Sequence, residues 1–108
     1  MAQNFRRYTY NAVGTGAQAV YTANSYDAIV GISLSNILAT PITVSCYINN
    51  GTDNIYLVKD APIPTGGSLQ VLDGGAKFVV QASDVLSVIS SDAVSCDVWI
   101  SAVDEIST

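Results

Sequence analysis

Ile42-Thr43-Val44-Ser45-Cys46-Tyr47-Ile48-Asn49 alternates residue by residue and runs into Asn50-Gly51-Thr52-Asp53. Successive side chains of a strand point to opposite faces, so Ile42, Val44, Cys46 and Ile48 share one face and Thr43, Ser45, Tyr47 and Asn49 the other. Asn and Gly tolerate positive φ, so the segment after Asn49 reads as a hairpin turn into a second β-rich run. The same period of two recurs on both sides. Ala28, Val30, Ile32 and Leu34 oppose Gly31, Ser33 and Ser35, and Val94, Cys96, Val98, Ile100 and Ala102 oppose Ser95, Asp97, Trp99, Ser101 and Val103. A slip of one residue would turn each apolar row outward, so these registers are expected to be firmly set.

The punctuation fits short strands and tight turns. Asp73-Gly74-Gly75 reads as a hairpin between Ser68–Leu72 and Lys77–Gln81, and Ala82-Ser83-Asp84 and Ser91-Asp92-Ala93 break the remaining runs. Pro62 and Pro64 exclude a central strand at their position and mark a path along a sheet edge. About seven or eight strands at this spacing predict an all-β fold, an antiparallel β-sandwich of jelly-roll-like or immunoglobulin-like type. The 108 residues make one domain. Residues 1–27 alternate less clearly and are expected to form an extended N-terminal arm and the first strand or strands, part of the same domain as the body at 28–108.

Composition limits what such a domain does. Apolar residues make up 49% and charged residues 12%, about half the usual charged share. An exterior so poor in charge must be covered by Ser, Thr, Asn and backbone or by other subunits, and the positive mean hydropathy favours subunits for part of it. No apolar run approaches the ~20 residues of a membrane-spanning helix, and MAQNFRRYTY has no apolar stretch behind its charges, so neither a membrane nor a secretion signal is expected. Arg6 and Arg7 are two of only four basic residues, against nine acids. There is no basic stripe for a phosphate backbone, which argues against nucleic acid. A basic, aromatic leader on an acidic body fits docking on an acidic protein surface, or equally a solvated terminus.

Chemistry-bearing residues are sparse. Histidine is absent, which removes the commonest general base and metal ligand. No serine sits in Gly-x-Ser-x-Gly, only Lys59 and Lys77 remain as alternative bases, and Asp53, Asp73, Asp84 and Asp92 fall in turns that they serve themselves. Asp73-Gly74-Gly75 lacks the alternating oxygen ligands of a calcium loop, and Gly66-Gly67 and Gly74-Gly75 lack the setting of a phosphate cradle. No enzyme, metal or cofactor is expected. Cys46 and Cys96 lie on apolar rows fifty residues apart. They are open to an inter-sheet disulfide or to two buried thiols, and the missing secretion signal favours the thiols. Trp99 follows the second cysteine, unlike the Cys, Trp, Cys order of immunoglobulin domains.

Aromatic residues are the more informative set. Phe5, Tyr8, Tyr10, Tyr21 and Tyr26 precede the regular strands, and Trp99 and Tyr47 sit on mostly polar rows. Such rings suit a surface buried against a partner, or else cap the ends of a sandwich core. A sugar-binding platform is the weaker reading, because the sequence sets no polar cluster beside any of these rings.

Asn4-Phe5-Arg6-Arg7-Tyr8-Thr9, Ile29-Val30-Gly31-Ile32-Ser33-Leu34-Ser35-Asn36, Val58-Lys59-Asp60-Ala61-Pro62-Ile63-Pro64-Thr65-Gly66-Gly67-Ser68-Leu69 and Ala82-Ser83-Asp84-Val85-Leu86-Ser87-Val88-Ile89-Ser90-Ser91 together resemble small virion proteins of tailed bacteriophages, particularly those of cyanobacteria and marine bacteria. The resemblance spans nearly the whole chain and carries no catalytic motif. It implies a β-sandwich present in many copies, assembled in the host cytoplasm. One place for it is the capsid exterior, as a decoration or cement protein bound to the major capsid protein, commonly as a homotrimer. The other is the tail, neck or a fibre. Phe5, Arg6, Arg7, Tyr8, Tyr10 and Trp99 are the expected partner-binding residues, with residues 1–10 an arm whose removal leaves a folded body. A carbohydrate-binding module for host attachment is the alternative of another class, and an open shelf of exposed Tyr or Trp would be its mark.

Overall fold

Alternation at Ile42–Asn49 becomes a strand with the expected faces: Ile42, Val44 and Cys46 are buried, while Thr43, Tyr47 and Asn49 are only partly so. The computed structural model describes residues 4–23, 26–72 and 78–107. Among them are nine strands and no helix: β1 Asn4–Val13, β2 Gln18–Thr22, β3 Tyr26–Asn36, β4 Ile42–Asn49, β5 Asn54–Ile63, β6 Ser68–Leu72, β7 Phe78–Val80, β8 Val85–Ser90 and β9 Cys96–Ser107. All pairings are antiparallel. One sheet runs β1-β9-β3, with β6 and β7 both on the far side of β3, and the other runs β2-β8-β4-β5. Their inner faces close over one core that includes Ile29, Ile32, Leu34, Val44, Ile63, Leu86, Val88, Val98 and Ile100. The all-β sandwich is therefore the fold.

The β4–β5 hairpin forms as read. Asn49 faces Asn54, and the turn is tied by amide side chains. The Asn49 Oδ1 accepts from Gly51 N at 2.8 Å, and Asn50 Oδ1 accepts from Thr52 N at 3.0 Å and Asp53 N at 2.8 Å. Gly51 takes φ 97°, a region costly for other residues. Pro62 lies in β5, the outermost strand of its sheet, where a missing N–H costs no ladder bond on the open side.

Three expectations are corrected. Val30 bulges: Ile29 and Gly31 pair with Ala102 and Ser101, consecutive residues of β9, so one extra residue of β3 is accommodated between them. This reverses the faces upstream. Ile29 joins Ile32 and Leu34 in the core, Val30 is only half-buried, and Ala28 pairs with Val103 on the outer face. Val94 leaves its row, at φ 51° and exposed, because the chain turns there before β9 begins at Cys96. Ser95 fixes that turn by donating its N–H to Val13 O at 3.0 Å and its hydroxyl to Asp92 O at 2.7 Å. Finally, β6 and β7 do not pair as a hairpin. They lie end to end along β3, β6 against Ile32–Ser35 and β7 against Asp27–Ile29. The expected turn at Asp73-Gly74-Gly75 lies outside the described residues.

Asn36 ties the two sheets. Buried at the end of β3, it donates its amide N–H groups to Thr40 O at 2.9 Å, Ile63 O at 3.1 Å and Pro64 O at 3.2 Å, and accepts from Leu38 N at 2.8 Å. Replacing it by Leu strands these backbone groups and is expected to cost about 2–4 kcal/mol, read from the urea midpoint; an unchanged midpoint would refute its role. Cys46 and Cys96 are both buried free thiols, pushed up to about 12 and about 11 chiefly by burial. Both should resist a thiol reagent at pH 8 in the native protein and react at once in denaturant. Rapid native labelling would contradict their burial.

Candidate functional site

Parity along β1 sorts the N-terminal residues into two sets. In its register with β9, Arg6 and Tyr8 pair with Ala102 and Ile100, on the core side, while Tyr10, opposite Val98 and next to the bulge, stays exposed. Phe5, Arg7 and Thr9 pair with Val103, Ser101 and Trp99, on the outer side. The extended segment thus finds its pairing partner within the chain. It is an edge strand of the sandwich, paired with β9.

The core-side set builds a polar cluster at one end of the sandwich. Asp104 and Asp27 are both buried there. Arg6 Nε lies 2.9 Å from Asp104 Oδ2, and the Tyr8 hydroxyl donates to both Asp104 oxygens at 3.2 and 3.1 Å. Tyr8 packs on Tyr21 with ring centroids 4.5 Å apart, and the Tyr21 hydroxyl donates to Asp27 Oδ2 at 2.5 Å. Burial, followed by the neighbouring Asp104 carboxylate, raises the Tyr8 phenol, and burial followed by the bond to Asp27 raises Tyr21. Both phenols therefore stay protonated donors, and the cluster is suited to holding β1, β2, β3 and β9 together. Asp104 was legible in principle, since it continues the row of Val98, Ile100 and Ala102. Asp27 was not, because only the Val30 bulge turns it inward.

Outside, a row crosses four strands: Phe5 on β1, Val103 on β9, Ala28 on β3 and Val79 on β7. Val103 and Ala28 are buried, whereas Phe5 and Val79 are 81% and 64% exposed, and Tyr26 nearby is also exposed. The row contains no charge. Farther along the same face, the Arg7 guanidinium lies 5.6 Å from the Trp99 ring centroid. Arg7, Thr9, Tyr10, Asn11, Asp97, Val98 and Trp99 line an open cleft of about 740 Å³. A second bulge shapes it: Tyr10 and Val13 of β1 pair with Val98 and Cys96. Ala12 there takes φ 61°. Its N–H donates to Asp97 Oδ1 at 2.8 Å, and Asn11 Nδ2 donates to the same oxygen at 3.2 Å. A polar cluster does accompany Trp99, contrary to the reading of the sequence. No alternation betrays it, since Asn11 and Asp97 are 86 residues apart. Of the six expected partner residues, Phe5 joins the apolar row, Arg7, Tyr10 and Trp99 line the cleft, and Arg6 and Tyr8 turn into the end cluster. On the opposite sheet, Tyr47 and Tyr56 pack at 5.0 Å with Lys59 over Tyr56. Among the described residues no group of three or more acids and cysteines is placed to hold a metal.

No protein-family model and no curated protein matches the chain. Solved structures that share its fold include two from large assemblies. One is a chain from the acid-stable capsid structure of Helicobacter pylori bacteriophage KHP30, with TM-score 0.61 and 11% identity over 95% of this chain and 87% of that one. The other comes from the Bacillus endospore appendages described as disulfide-linked pili, with TM-score 0.54 and 19% identity over 94% and 84%. At these identities the likeness is one of fold.

Replacing Tyr8 by Phe removes both hydroxyl bonds to Asp104 and is expected to destabilise the domain by about 1–3 kcal/mol. Deleting residues 4–10 should abolish cooperative unfolding altogether. A truncated chain that melts like the whole one would show that β1 is dispensable.

Proposed function

We propose that the chain is a structural protein of a tailed-phage virion, a decoration protein that binds the outside of the assembled head. The carrying observation is the uncharged row of Phe5, Val103, Ala28 and Val79. Its two ends stand open to solvent in the single chain, on the face of a regular sheet. Exposed apolar side chains at the ends of an uncharged row mark a contact with another protein. The fold supports the reading, because it is shared with a chain of a phage capsid structure and with one from a spore pilus, both multi-copy assemblies. The resemblance of the N-terminal and central segments to small phage virion proteins points the same way. The two buried thiols offer no surface cysteine among the described residues for a disulfide-linked polymer.

In this mechanism the Phe5–Val79 row supplies apolar burial, and Arg7 beside it supplies a charge for an acidic shell surface. Arg6 and Tyr8 act through Asp104, by holding β1 in the sheet. Because the chain binds only assembled subunits, it stabilises the lattice by mass action. Three copies around a three-fold point of the shell is the arrangement that the reading favours.

Heads prepared without the chain should take it up saturably to hundreds of copies, and unassembled capsid protein should not. Phe5→Asp with Val79→Asp, both at exposed sites, should leave the unfolding midpoint within about 0.5 kcal/mol while lowering head affinity at least ten-fold. Uptake of a few copies at the tail or neck would reassign the chain there, and full uptake by the double variant would refute the docking row.

A further inference from the structure

We infer that the cleft between Trp99 and Asp97 is a saccharide-binding site that takes neutral pyranose rings. Trp99 is the only tryptophan of the chain and remains 52% exposed on the outer face of a sheet. The Arg7 guanidinium lies over one face of the indole, 5.6 Å from its centroid, and a sugar ring that packs its C–H groups on that face displaces it. Asp97 stands two residues away on the same strand and the same face, about 7 Å along the sheet.

The carboxylate is built for recognition. Its Oδ1 is fixed by the N–H of Ala12 and the amide of Asn11, and among the described residues its Oδ2 accepts no hydrogen bond, so an oriented acceptor faces the cleft. Holding Ala12 at φ 61° costs about 1–3 kcal/mol, and a bulge of this kind re-aims side chains at sites of contact. Here it brings Asn11 to the carboxylate. Arg7 and Thr9 add donors for ring and hydroxyl oxygens.

The lining charges, Arg7 against Asp97, cancel, which suits a neutral ligand over a phosphate or a polyanion. A protein strand laid along β1 would meet the bulge at Asn11–Ala12 and lose its ladder. Arg7 lines the cleft and stands two residues from Phe5, about 7 Å along β1, so the cleft adjoins the apolar row. The inference stands on Trp99 and Asp97, which the shell-docking reading does not use.

Excited beyond the tyrosine absorption, the intrinsic fluorescence of the intact chain reports on Trp99, its one tryptophan. Titration with hexasaccharides of glucose, mannose, galactose and N-acetylglucosamine should give a saturable change with at least one, with a dissociation constant at or below about 1 mM. Asp97→Asn keeps an acceptor for Ala12 N–H and turns the free acceptor into a donor, so it should weaken binding at least ten-fold. Trp99→Ala, followed by calorimetry, should abolish it. If Asp97→Asn shifts the unfolding midpoint, Asn11→Ala carries the same comparison. A flat response to all four sugars, or wild-type binding by these variants, overturns the site. Quenching of Trp99 by phage heads that sugar does not relieve would assign the cleft to a protein contact instead.

Discussion

β9 lies between β1 and β3, and its alternation sets what every neighbour presents. Val98, Ile100 and Ala102 commit one face of this strand to the core, so Trp99, Ser101 and Val103 are committed to the other. Through the ladder the same parity passes to β1, where Tyr8 must face inward and Phe5 and Arg7 outward. A one-residue slip would place Phe5 in the polar cluster and expose Tyr8. The buried carboxylate of Asp104 enforces this register. It is satisfied only when Arg6 and Tyr8 reach it from β1, and an unpaired buried charge is far costlier than an exposed one.

Much of this was readable from residue order. The central strand Ile42–Asn49, its Asn-Asn-Gly turn and the edge position of Pro62 follow from period two and turn chemistry. What could not be read are departures from period two. A bulge inserts one residue without any compositional mark, so Val30 and Ala12 each reverse a face that strict alternation assigns otherwise. The Val30 bulge hides Asp27, and the Ala12 bulge hides the contact of Asn11 with Asp97. The strands around residues 73–77 mislead for another reason. Sequence adjacency favours a hairpin, but β3 is eleven residues long and accepts two short strands end to end. The six residues expected to bind a partner were legible as a set and not as a division, because their roles depend on which face of β1 each one occupies.

Low charge has a structural meaning here. The sheet edges differ: β5 carries Pro62 and Asp60 at φ 51°, β2 is five residues long and bulged, β6 and β7 are short, and the ten-residue β1 is broken by the bulge at Ala12. These devices discourage edge pairing. The faces are guarded less, and the outer face of the β1-β9-β3 sheet has the open ends of an apolar row at one end and a tryptophan cleft at the other. Under the proposed reading it is the exposed ends of that row, Phe5 and Val79, that dock on another protein.

A reconstruction of the intact particle tests that most directly. The account predicts density for the domain over the exterior of the head, in many symmetry-related copies, with Phe5 and Val79 against the shell. Domains found only in the tail, or lying on the head with the Phe5–Val79 row facing water, would contradict it.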